Sequence, residues 1–431
     1  MNEKRSSLDN FKMYAGILSQ LCLHAKVRGD KTALRVLGGK EKVVNEVTYS
    51  ELWRMIMQFS NYLEHVCGLK QGERFCVCLD NSVELICMYA ASLATKTVCI
   101  PIDYLAPLGA VLDILQQVRP RWILLADVSL QKCVSEKFSN AVMLDLNEMQ
   151  SCCNGAEIVH ELCCTVEPWV VLFTSGTTTG VKKGVVRTEL GSVAGFFSHC
   201  PDMHFCSEDI FLAIYPLHAI SSFFFVFMHL YFGASCCMLS RVDSHVPEIL
   251  MHVLHSQKIT FTTAGPMQVS CMIKTGIQCP ASLSRILVSG AVTKEVVQNR
   301  IRLFFATAKV FEIYGSTEAG LITLLSPEQQ LLHPGSVGIE PAGNLEVQFV
   351  HPVDGKLMAI TSKDQPGEIL VYTPMLFLEF FERSDLNNRC RTGQGYFKTG
   401  DLGYKGNDGF LYLSGRIDDR IGEFILCTQH F

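Results

Sequence analysis

Residues 169–184 read Trp169-Val170-Val171-Leu172-Phe173-Thr174-Ser175-Gly176-Thr177-Thr178-Thr179-Gly180-Val181-Lys182-Lys183-Gly184. The five apolar residues at the start predict a strand buried on both faces, the type found in parallel sheets covered by helices. That strand runs into a loop of glycines, hydroxyls and lysines. Glycines let backbone N–H groups approach an anion, hydroxyls add donors, and a lysine supplies a mobile positive charge, so a polyphosphate is the natural ligand. Val181 stands five residues beyond Gly176, without the Gly-Lys-Ser/Thr of the common NTPase loop. Taken alone, the segment also reads as a solvated Ser/Thr turn at a strand end.

Two further apolar strands end in the same way. Ile286-Leu287-Val288 leads into Ser289-Gly290-Ala291, and Val310-Phe311-Glu312-Ile313 leads into Tyr314-Gly315-Ser316. Ligands of open α/β sheets sit at the carboxyl ends of the strands, so the three loops are expected to form one site. Upstream, Arg74–Leu79, Thr97–Ile100 and Trp122–Ala126 read as buried strands and Ser82–Thr95 as an apolar helix. Beyond Pro334 the texture changes. Gly343–Val350, Gly367–Tyr372 and Gly409–Leu413 are short strands between Gly, Asp and Asn turns, which predicts a β-rich subdomain.

The whole chain sets the bounds. At 431 residues it calls for about three units or one large α/β assembly. Hydrophobic residues make up 48% and charged residues 18%, which excludes wholesale disorder. A net charge of −5 with no long run of either sign excludes an electrostatic nucleic-acid binder. The 19 cysteines are odd in number, three pairs are adjacent, and no Cys-x-x-Cys occurs. That favours reduced thiols in a cytoplasmic compartment over a disulfide scaffold or a zinc site. Phe211–Ser240 lacks Asp, Glu, Lys and Arg and has the length of a membrane span. Pro216, His218, Ser221, Ser222, His229 and Gly233 interrupt it, so a buried core helix beside a site is preferred and no transmembrane span is expected.

Four motifs follow in order: the loop Thr174–Gly184, Tyr314-Gly315-Ser316-Thr317-Glu318, Tyr396-Phe397-Lys398-Thr399-Gly400-Asp401, and Gly415-Arg416-Ile417-Asp418-Asp419. Each is weak singly. The ordered set resembles the adenylate-forming superfamily of acyl-CoA synthetases, aryl-CoA ligases, luciferases and adenylation domains, over nearly the whole chain from Thr48-Tyr49 onward. The resemblance implies an α/β fold: a large N-terminal domain of mainly parallel sheets layered with helices, plus a β-rich, distorted-barrel subdomain. The AMP-binding domain would span residues 1–415. It would comprise α/β subdomains at about 1–165 and 166–335 and the β-rich part at about 336–415. Residues 416–431 would be the hinge, at Asp418, and the remnant of a missing C-terminal domain.

The same resemblance assigns roles. Thr174, Ser175, Gly176, Thr177, Thr178, Gly180 and Lys183 form the loop for the β- and γ-phosphates of ATP. Tyr314, with Gly315 beside it, stacks on adenine, and Gly290 and Ala291 line that pocket. Thr317 contacts the α-phosphate and Glu318 the Mg²⁺ ion; Asp401 and Arg416 hold the ribose. The implied reaction activates a carboxylic acid with ATP and Mg²⁺ to an acyl-adenylate and pyrophosphate, then transfers it to CoA or another thiol acceptor. A carrier protein or a separate C-terminal domain would be a further partner. The other function considered is a nucleotide-binding protein without ligase activity.

Tyr215-Pro216-Leu217-His218 matches the Pro-x-x-His of many CoA synthetases and marks His218 as an acid-site residue; a satisfied core histidine is the plainer reading. No Asp lies between Ile210 and Ser240, where amino-acid-activating domains bind their substrate's amino group, so a non-amino acid, fatty or aromatic, is expected. Three departures from the family pattern stand out. The phosphate loop carries an extra Thr with Lys182 at the usual proline, Phe380-Phe381 replaces Gly-Tyr, and ten residues follow Ile421. The lysine-bearing C-terminal domain would lie beyond, and without it adenylation and transfer are expected to be weak.

Overall fold

The computed structural model describes residues 14–39, 42–152, 163–174, 182–198, 203–290, 295–341, 345–421 and 424–425. Of the expected site residues, Ser175, Gly176, Thr177, Thr178, Gly180 and Ala291 lie outside the described residues.

The strands follow in chain order. The first six are β1 (Thr32–Gly38), β2 (Lys42–Thr48), β3 (Arg74–Cys78), β4 (Val98–Pro101), β5 (Trp122–Leu125) and β6 (Val142–Met143). Next come β7 (Pro168–Thr174), β8 (Lys183–Thr188), β9 (Ile210–Ala213), β10 (Ser235–Leu239), β11 (Phe261–Ala264), β12 (Arg285–Val288), β13 (Lys309–Ser316) and β14 (Gly320–Leu325). Then follow β15 (Glu346–Val350), β16 (Gly367–Tyr372), β17 (Glu379–Phe380), β18 (Phe397–Lys405) and β19 (Leu411–Arg416), and last a separate two-stranded pair, β20 (Arg420–Ile421) and β21 (Phe424–Ile425). One sheet of eight strands has the order β14-β13-β12-β11-β9-β10-β1-β2, and one of seven the order β17-β8-β7-β4-β3-β5-β6. Both are parallel inside and take antiparallel strands only at their edges. The third sheet, β15-β16-β18-β19, is antiparallel throughout. Bridges from Gly338 to Leu411 and from Leu324 to Ile339 tie it to the edge of the eight-stranded sheet.

The continuous apolar strands behave as their composition demands. Successive side chains of a strand point to opposite faces, and here both faces are covered. Phe75 and Val77 of β3, Phe211 and Ala213 of β9, and Cys236 and Met238 of β10 enter one central core between the two large sheets. Their neighbours face outward: Cys76 and Cys78 to one side, Leu212, Cys237 and Leu239 to the other. The helices Tyr49–Asn61, Val83–Ala94, Glu189–Ser198 and Ile220–Tyr231 fill the central layer. The helix from Val83 starts where Ser82 caps it, its hydroxyl accepting from Leu85 N at 3.2 Å. Trp169 packs on Phe223 at 4.8 Å and on Phe227 at 5.0 Å, and donates to Tyr89 O at 2.8 Å. Each large apolar side chain so buried contributes roughly 1.5–3 kcal/mol.

Each large sheet draws strands from both sides of residues 165 and 166. The early strands β1 and β2 complete the eight-stranded sheet, while β7, β8 and β17 complete the seven-stranded one. Crossover helices carry the chain from sheet to sheet, so local composition shows no seam. The uncharged stretch 211–240 does contain a buried core helix. It holds most of β9, a 12-residue helix Ile220–Tyr231, and β10. Among the described residues no helix is long and apolar enough to cross a membrane. Phe380 and Phe381 are buried, and Phe381 N donates to Gly184 O at 2.7 Å where β17 pairs with β8. The missing Gly-Tyr is therefore a packing change.

Candidate functional site

The expected residues that are described gather at the carboxyl ends of the strands in two linked groups. The first is built on Tyr314, at the end of β13, and the hairpin β18–β19. Tyr314 Oη donates to Asp401 Oδ2 at 2.7 Å, and Arg416 Nη1 donates to Asp401 Oδ1 at 2.8 Å. Asp401 and Arg416 are cross-strand partners, the pairing in which side chains meet. The Asp401 backbone N–H donates to Thr399 Oγ1 at 3.0 Å. Burial raises the Asp401 carboxyl above the ordinary carboxylate range, with Arg416 and Tyr314 opposing it. Burial also pushes the Tyr314 hydroxyl well up.

Glu318 stands next to this group, in the turn between β13 and β14. Its carboxyl is raised by burial, against its own backbone N–H, the Ser316 hydroxyl, Lys183 and Arg416. Ser316 Oγ accepts from Ala319 N at 3.1 Å, and Phe377 N donates to Glu318 O at 2.7 Å. The turn is tight enough to need a glycine: a Cβ on Gly315 would sit 2.3 Å from Gly320 O. Lys183 opens β8 opposite Thr174, whose Oγ1 donates to Lys183 O at 3.4 Å. The Lys183 ammonium lies 5.9 Å from the Phe380 ring. Gly290 follows β12 at φ +93°, a conformation costly for other residues.

The second group surrounds His218. Asn81, just after β3, holds the loop, accepting from Leu217 N at 2.8 Å and donating to Leu239 O at 3.0 Å. His218 Nε2 lies 3.8 Å from Asp103 Oδ2, and Arg241 Nε lies 3.6 Å from Asp103 Oδ1. Burial pushes the imidazole down to about 4, Asp103 opposing, Arg241 and Lys182 reinforcing. The ring is therefore neutral at physiological pH. It faces the charged pair Asp103 and Arg241. Lys182 and Lys183 connect the groups, the first acting on His218 and the second on Glu318.

Sequence reasoning missed Asp103, Arg241 and Arg187. Asp103 and Arg241 follow β4 and β10, and the strand-end rule applied to every strand would have flagged them. Arg187 carried a plainer signal: a charge inside the apolar run of β8, two positions from Val185 and four from Lys183. Two clefts of about 430 and 450 Å³ lie elsewhere. One is at the amino end of β13, beside Lys309 and Ser326; the other lies over β15, beside Phe349 and Met358. Neither includes an expected site residue.

The fold and the gathered strand-end loops define a layered α/β enzyme. The chain belongs to the AMP-binding enzyme family, whose model matches residues 23–381. Among its relatives is a 2-succinylbenzoate–CoA ligase of Bacillus velezensis, 27% identical over 87% of this chain and 74% of the ligase. Another is a 4-coumarate–CoA ligase-like protein of Arabidopsis thaliana, 24% identical over 88% of this chain and 71% of that protein. In structure the chain resembles the o-succinylbenzoate coenzyme A synthetase of Bacillus subtilis solved with ATP and a magnesium ion. That likeness has a TM-score of 0.80 and 24% identity, covering 94% of this chain and 80% of the synthetase.

Proposed function

We propose that this chain activates a non-amino carboxylic acid with ATP, forming an acyl-adenylate and pyrophosphate, and passes the acyl group to CoA. The observation that carries this reading is the meeting of Tyr314, Asp401 and Arg416 with Glu318 and Lys183 at the strand ends of a family of AMP-binding enzymes. The chemistry divides among these residues. Asp401 and Arg416 hold the ribose hydroxyls and Tyr314 stacks on the base beside Gly290. Thr317 donates to the α-phosphate; Thr174 and Lys183 serve the β- and γ-phosphates. An oxygen of the acid's carboxylate bonds to the α-phosphorus while the bond to the bridging oxygen breaks, its electron pair leaving with pyrophosphate. In the second step a thiol sulfur bonds to the acyl carbon, the carbon–oxygen bond to AMP breaks, and the thiol proton passes to solvent.

Two anions must approach each other in the first step, so aligned cations and donors do most of the work. Glu318, with the hydroxyls of Ser316 and Thr317, offers the hard oxygen donors that suit Mg²⁺, which is commonly held by one or two carboxylates and the phosphates themselves. The described residues contain no group of three His, Cys, Asp or Glu that would cage a metal. When bound, Mg²⁺ neutralises charge on the phosphates. His218 and its Asp103–Arg241 neighbours line the acid side, where an aromatic or fatty acid enters as a carboxylate. The cysteine pattern supports a cytoplasmic setting: none of the described cysteines is in a disulfide, and most are buried or half-buried.

The test is pyrophosphate release and thioester formation, followed by mass spectrometry, over a panel of aromatic, fatty and amino acids. Turnover with an aromatic or fatty acid is expected. Turnover confined to amino acids would overturn the substrate class.

A further inference from the structure

Arg187 is the largest charged side chain the fold buries completely, at 1% exposure. Alternation along β8 puts it on the same face as Lys183 and Val185. Val185 packs in the cluster containing Tyr314, Ala319 and Phe377. The Nη1 of Arg187 donates to Met375 O at 2.7 Å and Thr317 O at 3.2 Å, with Glu318 O at 3.5 Å. One nitrogen thus reaches three carbonyls from two segments: the β13–β14 turn and the stretch after β16. Arg187 itself belongs to the seven-stranded sheet, so it links that sheet to the β13–β14 turn where Glu318 sits and to the segment after β16. Its Nε and Nη2 are buried and find no hydrogen-bond partner among the described residues. Burial lowers the guanidinium only to about 10, and Glu318 is the acidic group acting on it, so the charge persists at neutral pH.

A buried arginine with two idle nitrogens is an expensive way to satisfy carbonyls that a neutral donor could serve. Its geometry is explained by what it fixes. Arg187 Nη1 and Phe377 N both donate to the Glu318 carbonyl oxygen, which fixes the backbone from which the carboxylate side chain projects. We propose that Arg187 is a positioning residue that locks the Thr317–Glu318 turn, and through it the Glu318 carboxylate, for the Mg²⁺–phosphate unit of ATP. This rests on the function proposed above, with Arg187 acting through Glu318 and touching no substrate.

The test is calorimetric binding of ATP to the full chain, with Mg²⁺ and with EDTA, for wild type, Arg187→Met and Arg187→Lys. Circular dichroism checks folding. Loss of an outer partner typically weakens metal binding about 10–100-fold. Arg187→Met is therefore expected to keep its affinity for ATP in EDTA and lose at least about tenfold of the Mg²⁺-dependent gain. Arg187→Lys, with its charge kept but its fork gone, should recover part of that loss. A purely structural arginine would lower thermal stability and leave the Mg²⁺-dependent gain intact, which overturns the proposal. If Arg187→Met does not fold, Arg187→Lys decides: a Mg²⁺ response equal to wild type overturns it, and a reduced one supports it. A wild-type chain that binds no ATP overturns the proposed function itself, and this inference with it.

Discussion

At the scale of single residues, Asp401 is the clearest case of a side chain that ties the structure together where the proposed function needs a ligand contact. Both its oxygens already accept a hydrogen bond, from Tyr314 and Arg416, and each oxygen keeps a lone pair for a ribose hydroxyl. Asp401→Asn replaces one acceptor by a donor that faces either the Tyr314 hydroxyl or the Arg416 guanidinium. Hydrogen bonds to a charged group are worth about 1.5–3 kcal/mol. The variant should therefore bind ATP roughly 10–100-fold more weakly by calorimetry, while its circular dichroism stays that of wild type. Unchanged affinity would remove Asp401 from the nucleotide site. The Thr-Gly-Asp string ahead of a hairpin singled out Asp401 in the sequence, and the structure sets that residue against Tyr314 and Arg416. Arg187, Asp103 and Arg241 carried only local signals, a charge inside an apolar run and places after strand ends, while their partners lie more than a hundred residues away.

At the scale of elements, strand type and order were largely readable. The expected strands at residues 74–79, 122–126, 169–173 and 286–288 differ from the observed ones by a residue or so at their ends, and Gly367–Tyr372 is matched at both ends. Their pattern is simple because the central residues are buried on both faces. Which strand joins which sheet was not readable, since β1 and β10 lie some two hundred residues apart yet pair in parallel. The turn between β13 and β14 is where element geometry governs chemistry. Gly315 is pressed against Gly320 O, so Gly315→Ala must push the two strands apart at Glu318. Such overpacking costs about 1–3 kcal/mol. A lowered melting temperature together with a weakened Mg²⁺-dependent gain in ATP affinity is the expected outcome. A variant equal to wild type in both would show that the turn tolerates displacement.

At the scale of the whole molecule, two sheets share one aromatic core, and that core carries a titratable group. His229 is buried, stacked on Phe211 at 4.6 Å and facing Phe261 at 5.3 Å, with Nδ1 2.6 Å from Phe225 O and Nε2 unpartnered. Burial pushes it down to about 4; the Phe225 carbonyl and Asp209 oppose this and Arg285 reinforces it. The unfolded chain binds this proton near pH 6.5 and the folded chain does not until about pH 4, so stability is complete above pH 6.5 and falls as pH drops toward 4. The loss from this one group is roughly 3 kcal/mol. His229→Phe should flatten that part of the acid limb in urea titrations at pH 7, 5.5 and 4.5. An acid limb as steep as in wild type would mean that other groups set the acid sensitivity. The overall claim, that the three sheets converge to make acyl-adenylate, is tested most directly by ATP–pyrophosphate exchange on the wild-type chain. Exchange that appears with Mg²⁺ and an aromatic or fatty acid, and vanishes when either is withheld, is the expected result. ATP binding without exchange for any acid would contradict it.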